Sequence, residues 1–139
     1  MGRKVIVMAE DEPVIREAVK ETLEDNFELH MAENGKEVLE LLKKVKPDVI
    51  LLDVMMPVMG GLEACKIIKH DESTAKVPVI FLTAKGQIND VEKGFMAGAD
   101  SYIVKPFTAG TLTQKLDTIL SKVEARKKMY AEHNKSPEQ

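Results

Sequence analysis

The chain has 139 residues, enough for one domain with a complete hydrophobic core and too few for two of ordinary size. Its 44% hydrophobic and 31% charged residues are those of an ordinary soluble domain, and a net charge of −3 gives no general argument for nucleic-acid binding. The single cysteine, Cys65, excludes an intrachain disulfide, and no run approaches the roughly 20 apolar residues of a membrane span. The apolar run Val5 to Ala9 is too short for a signal-peptide core. A cytoplasmic protein with no membrane insertion and no direct contact with nucleic acid is expected. Charge is unevenly spread: from Lys122 onward five Lys/Arg face three Asp/Glu, whereas residues 1–121 carry 15 against 20.

Strand and helix patterns alternate along the chain. Lys4–Ala9 is a nearly continuous apolar run, the pattern of a strand buried on both faces. Pro13 suits the first turn of a helix predicted to run through Asn26, with Asp11 and Glu12 near its positive end. Phe27–Ala32 alternates, with Phe27, Leu29 and Met31 on one face and Glu28 and His30 on the other, as an edge strand does. Asn34 can cap a helix whose apolar residues Val38, Leu41, Leu42 and Val45 share one stripe, and Lys46-Pro47 ends it. Asp48–Leu52 and Val77–Thr83 are again buried-strand runs, separated by a helix over about Gly61 to His70. A short fourth helix is predicted over about Ile88 to Ala97, then a strand over Ser101–Lys105. The last helix begins near Thr108 and carries Leu112, Leu116, Ile119, Leu120 and Val123 on one stripe. Residues Tyr130–Gln139 are expected to fray.

Five βα units in this order predict an α/β fold: a flavodoxin-like, doubly wound, parallel five-stranded sheet of order 2-1-3-4-5, with the alternating second strand at an edge. Ligands of such sheets bind beyond the carboxyl ends of the strands where strand order reverses, here between the first and third strands. The first strand runs into Glu10-Asp11-Glu12 and the third into Asp53. Taken alone, the acidic run reads as a charged first helical turn and Asp53 as a cap. Together they place several carboxylates in one crevice, where like charges repel unless a hard cation with oxygen ligands, in the manner of Mg²⁺, neutralises them. Thr83 ends the fourth strand and Lys105 the fifth, adding a hydroxyl donor and an ammonium to the same rim.

These motifs, VIVMAEDEP, LLDVMMPVMGG, IFLTAKG and SYIVKPF, resemble those of the receiver domain family of two-component response regulators, over residues 3 to about 125. The resemblance implies that Asp53 is the phosphoacceptor. It implies that Asp11, Asp53 and the main-chain carbonyl of Met55 ligate Mg²⁺, with Glu10 acting through a water. Thr83 and Lys105 would bind phosphoryl oxygens, Tyr102 would be a rotamer switch coupled to Thr83, and the Lys105–Pro106 bond would be cis. It further implies a histidine kinase or phosphotransfer protein as phosphodonor, and a downstream output protein or domain engaged through the predicted fourth helix, the fifth strand and the last helix. A phosphorylation-linked homodimer is another outcome it allows. The chain would act on no external substrate, catalysing only its own phosphorylation and dephosphorylation. Met55 and Lys85, two residues beyond Asp53 and Thr83, supply neither amide nor carboxylate to orient water, so a slow loss of the phosphoryl group is expected.

Two positions depart from the family's pattern. Glu10 replaces the more usual Asp, and Gly60 stands where Asp is often found. A dehalogenase-type phosphatase would need an Asp where Met55 stands, and a nucleotide switch would need glycines where Glu10-Asp11-Glu12-Pro13 stands. Residues 126–139 are expected to form a helical extension and a polar tail. That extension suits both a stand-alone domain and a piece of a longer regulator.

Overall fold

Five strands form one all-parallel sheet in the order β2-β1-β3-β4-β5, as the alternating edge strand predicts. The structure is a computed structural model that describes residues 2–84, 93, 95 and 97–133. The strands are β1 Lys4–Ala9, β2 Phe27–Ala32, β3 Val49–Asp53, β4 Val79–Ala84 and β5 Ser101–Lys105. The helices are α1 Pro13–Leu23, α2 Gly35–Leu42, α3 Gly61–His70 and, after the undescribed stretch, α4 Ala109–His133. The helix predicted over 88–97 lies outside the described residues except for Lys93, Phe95 and Ala97, and Lys85 lies outside them too.

The apolar runs of β1, β3 and β4 split by parity between two cores. Val7, Ala9, Ile50, Leu52, Val79 and Phe81 join Ala64, Cys65 and Ile68 of α3 on one face. Ile6, Met8, Val49, Leu51, Ile80 and Leu82 join Val19 and Leu23 of α1 and Leu112, Leu116 and Ile119 of α4 on the other. Burying each such side chain fully contributes roughly 1.5–3 kcal/mol, which explains why runs without polar alternation occupy the middle of the sheet. On edge strand β2, Phe27, Leu29 and Met31 pack on the second core, and Glu28 faces solvent.

Local signals set most helix ends. Pro13 occupies the first turn of α1. The Asn34 side chain accepts from the Glu37 N–H at 3.0 Å, and Glu37 Oε1 accepts from the Glu33 N–H at 2.9 Å, so the start of α2 is capped in both directions. Three expectations need correction. Helix α1 stops at Leu23, short of Asn26: the Asn26 N–H bonds back to the Leu23 carbonyl at 3.1 Å in a turn toward β2, and Arg3 Nη1 donates to the Glu24 carbonyl at 2.8 Å. Strand β4 begins at Val79 and not at Val77, since Val77 N–H bonds back to the Thr74 carbonyl in a turn. Tyr130–His133 are helical, as α4 is uninterrupted through His133, and residues 134–139 of the stretch expected to fray lie outside the described residues.

Candidate functional site

Side chains from three strand ends meet at the carboxyl edge of the sheet, and a fourth strand end brings Thr83 to the same edge. Strand β1 delivers Glu10 and the start of the loop to α1, and β3 ends on Asp53, which registers against Leu82 of β4. Thr83 stands one residue further along β4, opposite Val104 of β5, and Lys105 follows. One oxygen from each of Glu10, Asp11, Glu12 and Asp53 lies within 4.8 Å of the others. The acids predicted to converge therefore do so.

Lys105 is the counter-charge. Its Nζ lies 2.7 Å from Glu10 Oε1, 3.0 Å from Asp53 Oδ2 and 3.5 Å from Glu12 Oε1. The Asp53 contact is an aligned hydrogen bond, whereas the shorter Glu10 contact is an ion pair without hydrogen-bond alignment. Burial pulls the Lys105 pKa down, but its pairing with Glu10 and Asp53 outweighs this and holds it above the ordinary value. Glu10 is 0% exposed, and burial pushes its pKa up to about 7 against the opposing pull of Lys105, with Asp53 adding to the rise. Among the described residues, four carboxylates thus face one ammonium, an unbalanced arrangement in a partly dry crevice.

The backbone completes the setting. Asp53 is 5% exposed, and its Oδ1 accepts from the Met55 N–H at 3.3 Å. The Met55 side chain stands 62% exposed at the mouth. Helix α3 starts directly behind Asp53: a Cβ on Gly61 would lie 2.2 Å from the Asp53 carbonyl oxygen, so only glycine allows this approach. Gly60 sits at the N-cap of α3 with an extended backbone. The Lys105–Pro106 bond is cis, as the resemblance implied.

Thr83 is 1% exposed, and its Oγ1 has no hydrogen-bond partner among the described residues. An unsatisfied buried hydroxyl costs about 1–3 kcal/mol, so its retention at this edge of the sheet suits an acceptor that arrives from outside. Tyr102, half-buried on β5, registers against Phe81 and packs on the first core. Its ring meets Phe95 edge-on at 6.0 Å, and Lys115 Nζ lies 5.5 Å from its centroid. It is thus one strand away from Thr83, with an aromatic and a cationic neighbour.

One participant, Arg16, carries no role in the sequence reading, and another, Glu12, enters it only as a further carboxylate of the crevice. Glu12 reaches Lys105, and Arg16 Nη1 donates to the Glu10 carbonyl at 2.6 Å. Position 12 reads as a crevice carboxylate, but its contact with Lys105 is not legible in the sequence. Arg16, four residues on, gives no linear signal because its acceptor is a backbone atom.

All donors in the acid cluster are oxygens, which suits a hard divalent cation such as Mg²⁺ better than a thiophilic metal. Among the described residues no helix is long and apolar enough to cross a membrane.

Comparison with known proteins agrees with this geometry. The family model for the response regulator receiver domain matches residues 6–117. The chain is 40% identical over 121 residues to the phosphate regulon transcriptional regulatory protein PhoB of Pseudomonas aeruginosa, covering 86% of this chain and 53% of that protein. It is 35% identical over 119 residues to the chemotaxis protein CheY of Halobacterium salinarum, covering 85% of this chain and 98% of that one. The chain therefore spans about half the length of PhoB-like relatives and nearly all of the CheY-like one. A response regulator structure from Chloroflexus aurantiacus superposes with a TM-score of 0.83 at 30% identity, covering 86% of this chain and 99% of that one. The receiver domain of sensor histidine kinase PA1611 from Pseudomonas aeruginosa, which holds a magnesium ion in its active-site cleft, gives 0.80 at 27% identity, covering 86% and 99%. With the sheet order, the acid cluster and these matches in agreement, the chain belongs to the response regulator receiver domain family of two-component signalling.

Proposed function

We propose that this domain is switched by phosphorylation of Asp53, with Thr83 and Lys105 receiving the transferred group. The observation that carries this is the hydrogen bond of Lys105 Nζ to the buried Asp53 carboxylate at 3.0 Å, at the same sheet edge as a Thr83 hydroxyl that has no partner among the described residues. An Asp53 oxygen attacks phosphorus in line. The phosphorus–nitrogen bond of a donor phosphohistidine breaks, and its electron pair leaves with the imidazole. Lys105 neutralises charge on the transferring oxygens and then bonds one of them, while Thr83 Oγ1 donates to another.

Asp11, Asp53 and the Met55 carbonyl, with Glu10 through a water, are the residues that would hold Mg²⁺. Glu12 borders the same space. The bound ion would supply further charge neutralisation at the phosphoryl oxygens. Thr83 moving toward the new group leaves room that Tyr102 fills, and the surface around β5 and α4 changes. Partners of matching chemistry are a cytoplasmic histidine kinase or phosphotransfer protein as donor, and an output protein or domain on that surface. A homodimer linked to phosphorylation is the competing use of the same face. Residues 3–125 form the switch and 126–139 are its extension and polar tail, of which 126–133 carry α4 outward.

The test is labelling by acetyl phosphate with Mg²⁺, read by intact mass. The parent gains one phosphoryl group at a hydroxylamine-sensitive site, and Asp53→Asn gains none. Labelling that persists in Asp53→Asn refutes the assignment, and Mg²⁺ affinity unchanged in Asp11→Ala refutes the ligand set. Loss of the label within seconds from the parent would contradict the slow decay expected from Met55 and Lys85.

A further inference from the structure

A second cavity, of about 600 Å³, opens at the opposite edge of the sheet from the acid cluster. It lies where the N-terminal ends of β4 and β5 meet the C-terminal part of α4. Its wall is mostly apolar carbon from Ala75, Val123 and Ala131, with Tyr130 beside them. Four cations line it: Lys69 from α3, Lys76 from the loop before β4, and Arg126 and Lys127 from α4.

The charges here are not balanced. Asp100 also lines the cavity, but its Oδ2 accepts from the Val79 N–H at 2.8 Å and from Lys69 Nζ at 3.2 Å. Lys69 is held further by the carbonyls of Val77 and Ala75 at 2.7 and 3.2 Å. That pair is therefore internally satisfied. Among the described residues Lys76, Arg126 and Lys127 form no ion pair. Lys127 has Glu124 as an electrostatic neighbour, so Lys76 and Arg126 carry most of the positive field, in a chain whose net charge is −3.

The extent of the positive region decides the size of the ligand. Beyond Lys76, Val123 and Lys127 the surface continues into a neighbouring cleft, which carries Asp48, Glu72 and Glu124. Those acids close off the positive region on that side. What remains is one compact cleft of small-molecule size with an apolar wall and a cationic rim, not a long basic groove for a peptide or nucleic acid.

We propose that this cleft binds a small ligand that joins a planar apolar group to two or more phosphate charges, the chemistry of a nucleoside diphosphate. The planar group lies against Val123, Ala75 and Ala131, and the phosphates face Lys76, Arg126 and Lys127. Because α4 contributes most of the wall, the ligand would tie α4 to the α3–β4 loop on the side away from Asp53.

The experiment is calorimetric titration of the full 139-residue chain with ADP at low salt, with EDTA present so that no metal bridges ADP to the acid cluster. Saturable binding is expected, with adenosine and pyrophosphate each at least about tenfold weaker than ADP. Arg126→Glu and Lys76→Glu, exposed positions on two different elements, should each weaken ADP by about tenfold or more while far-UV circular dichroism stays unchanged. The proposal is overturned by no saturation below about 1 mM ADP, by pyrophosphate binding as tightly as ADP, or by charge-reversed variants that bind like the parent.

Discussion

Val58 sits in the loop between β3 and α3 with φ at 69°, a conformation that costs a β-branched side chain dearly. The Met59 N–H bonds to the Pro57 carbonyl at 2.8 Å, closing a γ-turn around it, and the side chain is 78% exposed with no core packing to offset the strain. Val58→Gly is therefore expected to stabilise the fold by about 1 kcal/mol, read from the urea midpoint. A lower midpoint would show that the valine contributes more than its backbone costs. At the acid cluster the same trade appears in charges. Asp53→Asn removes one of four mutually repelling carboxylates and leaves Lys105 its close pair with Glu10. The variant should melt about 2–6 °C above the parent in EDTA. Millimolar Mg²⁺ should raise the parent's Tm by binding only the folded state and raise the variant's much less, and chelation should reverse the parent's gain. Equal Mg²⁺ shifts in both proteins would contradict Asp53 as a ligand.

At the scale of elements, α2 shows how a short helix is held at its entrance. It has eight residues, too few to be stable alone, and its start is fixed by the reciprocal Asn34–Glu37 and Glu37–Glu33 hydrogen bonds. Asn34→Ala should cost about 1 kcal/mol in chemical denaturation, while Asn34→Ser or Asn34→Asp should retain most of it. An alanine variant with parental stability would mean that packing of Val38 alone holds the element. The end of β3 shows the reverse dependence. Gly61 has no turn angle to satisfy, and its need for a hydrogen side chain arises from the Asp53 carbonyl that α3 approaches. Lys69 likewise spans elements, joining α3 to the carbonyls of Ala75 and Val77 and to Asp100 ahead of β5.

The whole molecule buries its only cysteine between α3 and the sheet, which makes Cys65 a reporter of global unfolding. Burial raises its pKa to about 11, with Asp100 adding to the rise and Lys69 opposing it. The fold thus favours the neutral thiol: this contribution is complete below the ordinary value of 9.0 and is lost as pH rises through about 11. At pH 8 the thiol should resist aromatic disulfide reagents in the native protein and react fully in denaturant, at a rate that follows unfolding. Fast native labelling would place Cys65 in a locally opening region and not in the shared core.

Much of this was legible from the chain because the signals are local or periodic. The unbroken apolar runs of β1, β3 and β4, the alternation of β2 and the Pro13 and Asn34 helix starts follow from side-chain chemistry at fixed spacing, and with them the sheet order. Since ligand sites of such sheets lie at strand ends, Glu10, Asp11, Asp53, Thr83 and Lys105 could be named from where their strands stop. What no linear pattern carries is which atoms pair across strands. The sharing of Lys105 among Glu10, Asp53 and Glu12, the unpartnered Thr83 hydroxyl, the Arg16 bond to a backbone carbonyl and the cationic cleft below α4 depend on residues far apart in sequence. Tertiary packing decides these features because it fixes their distances and how much water reaches them.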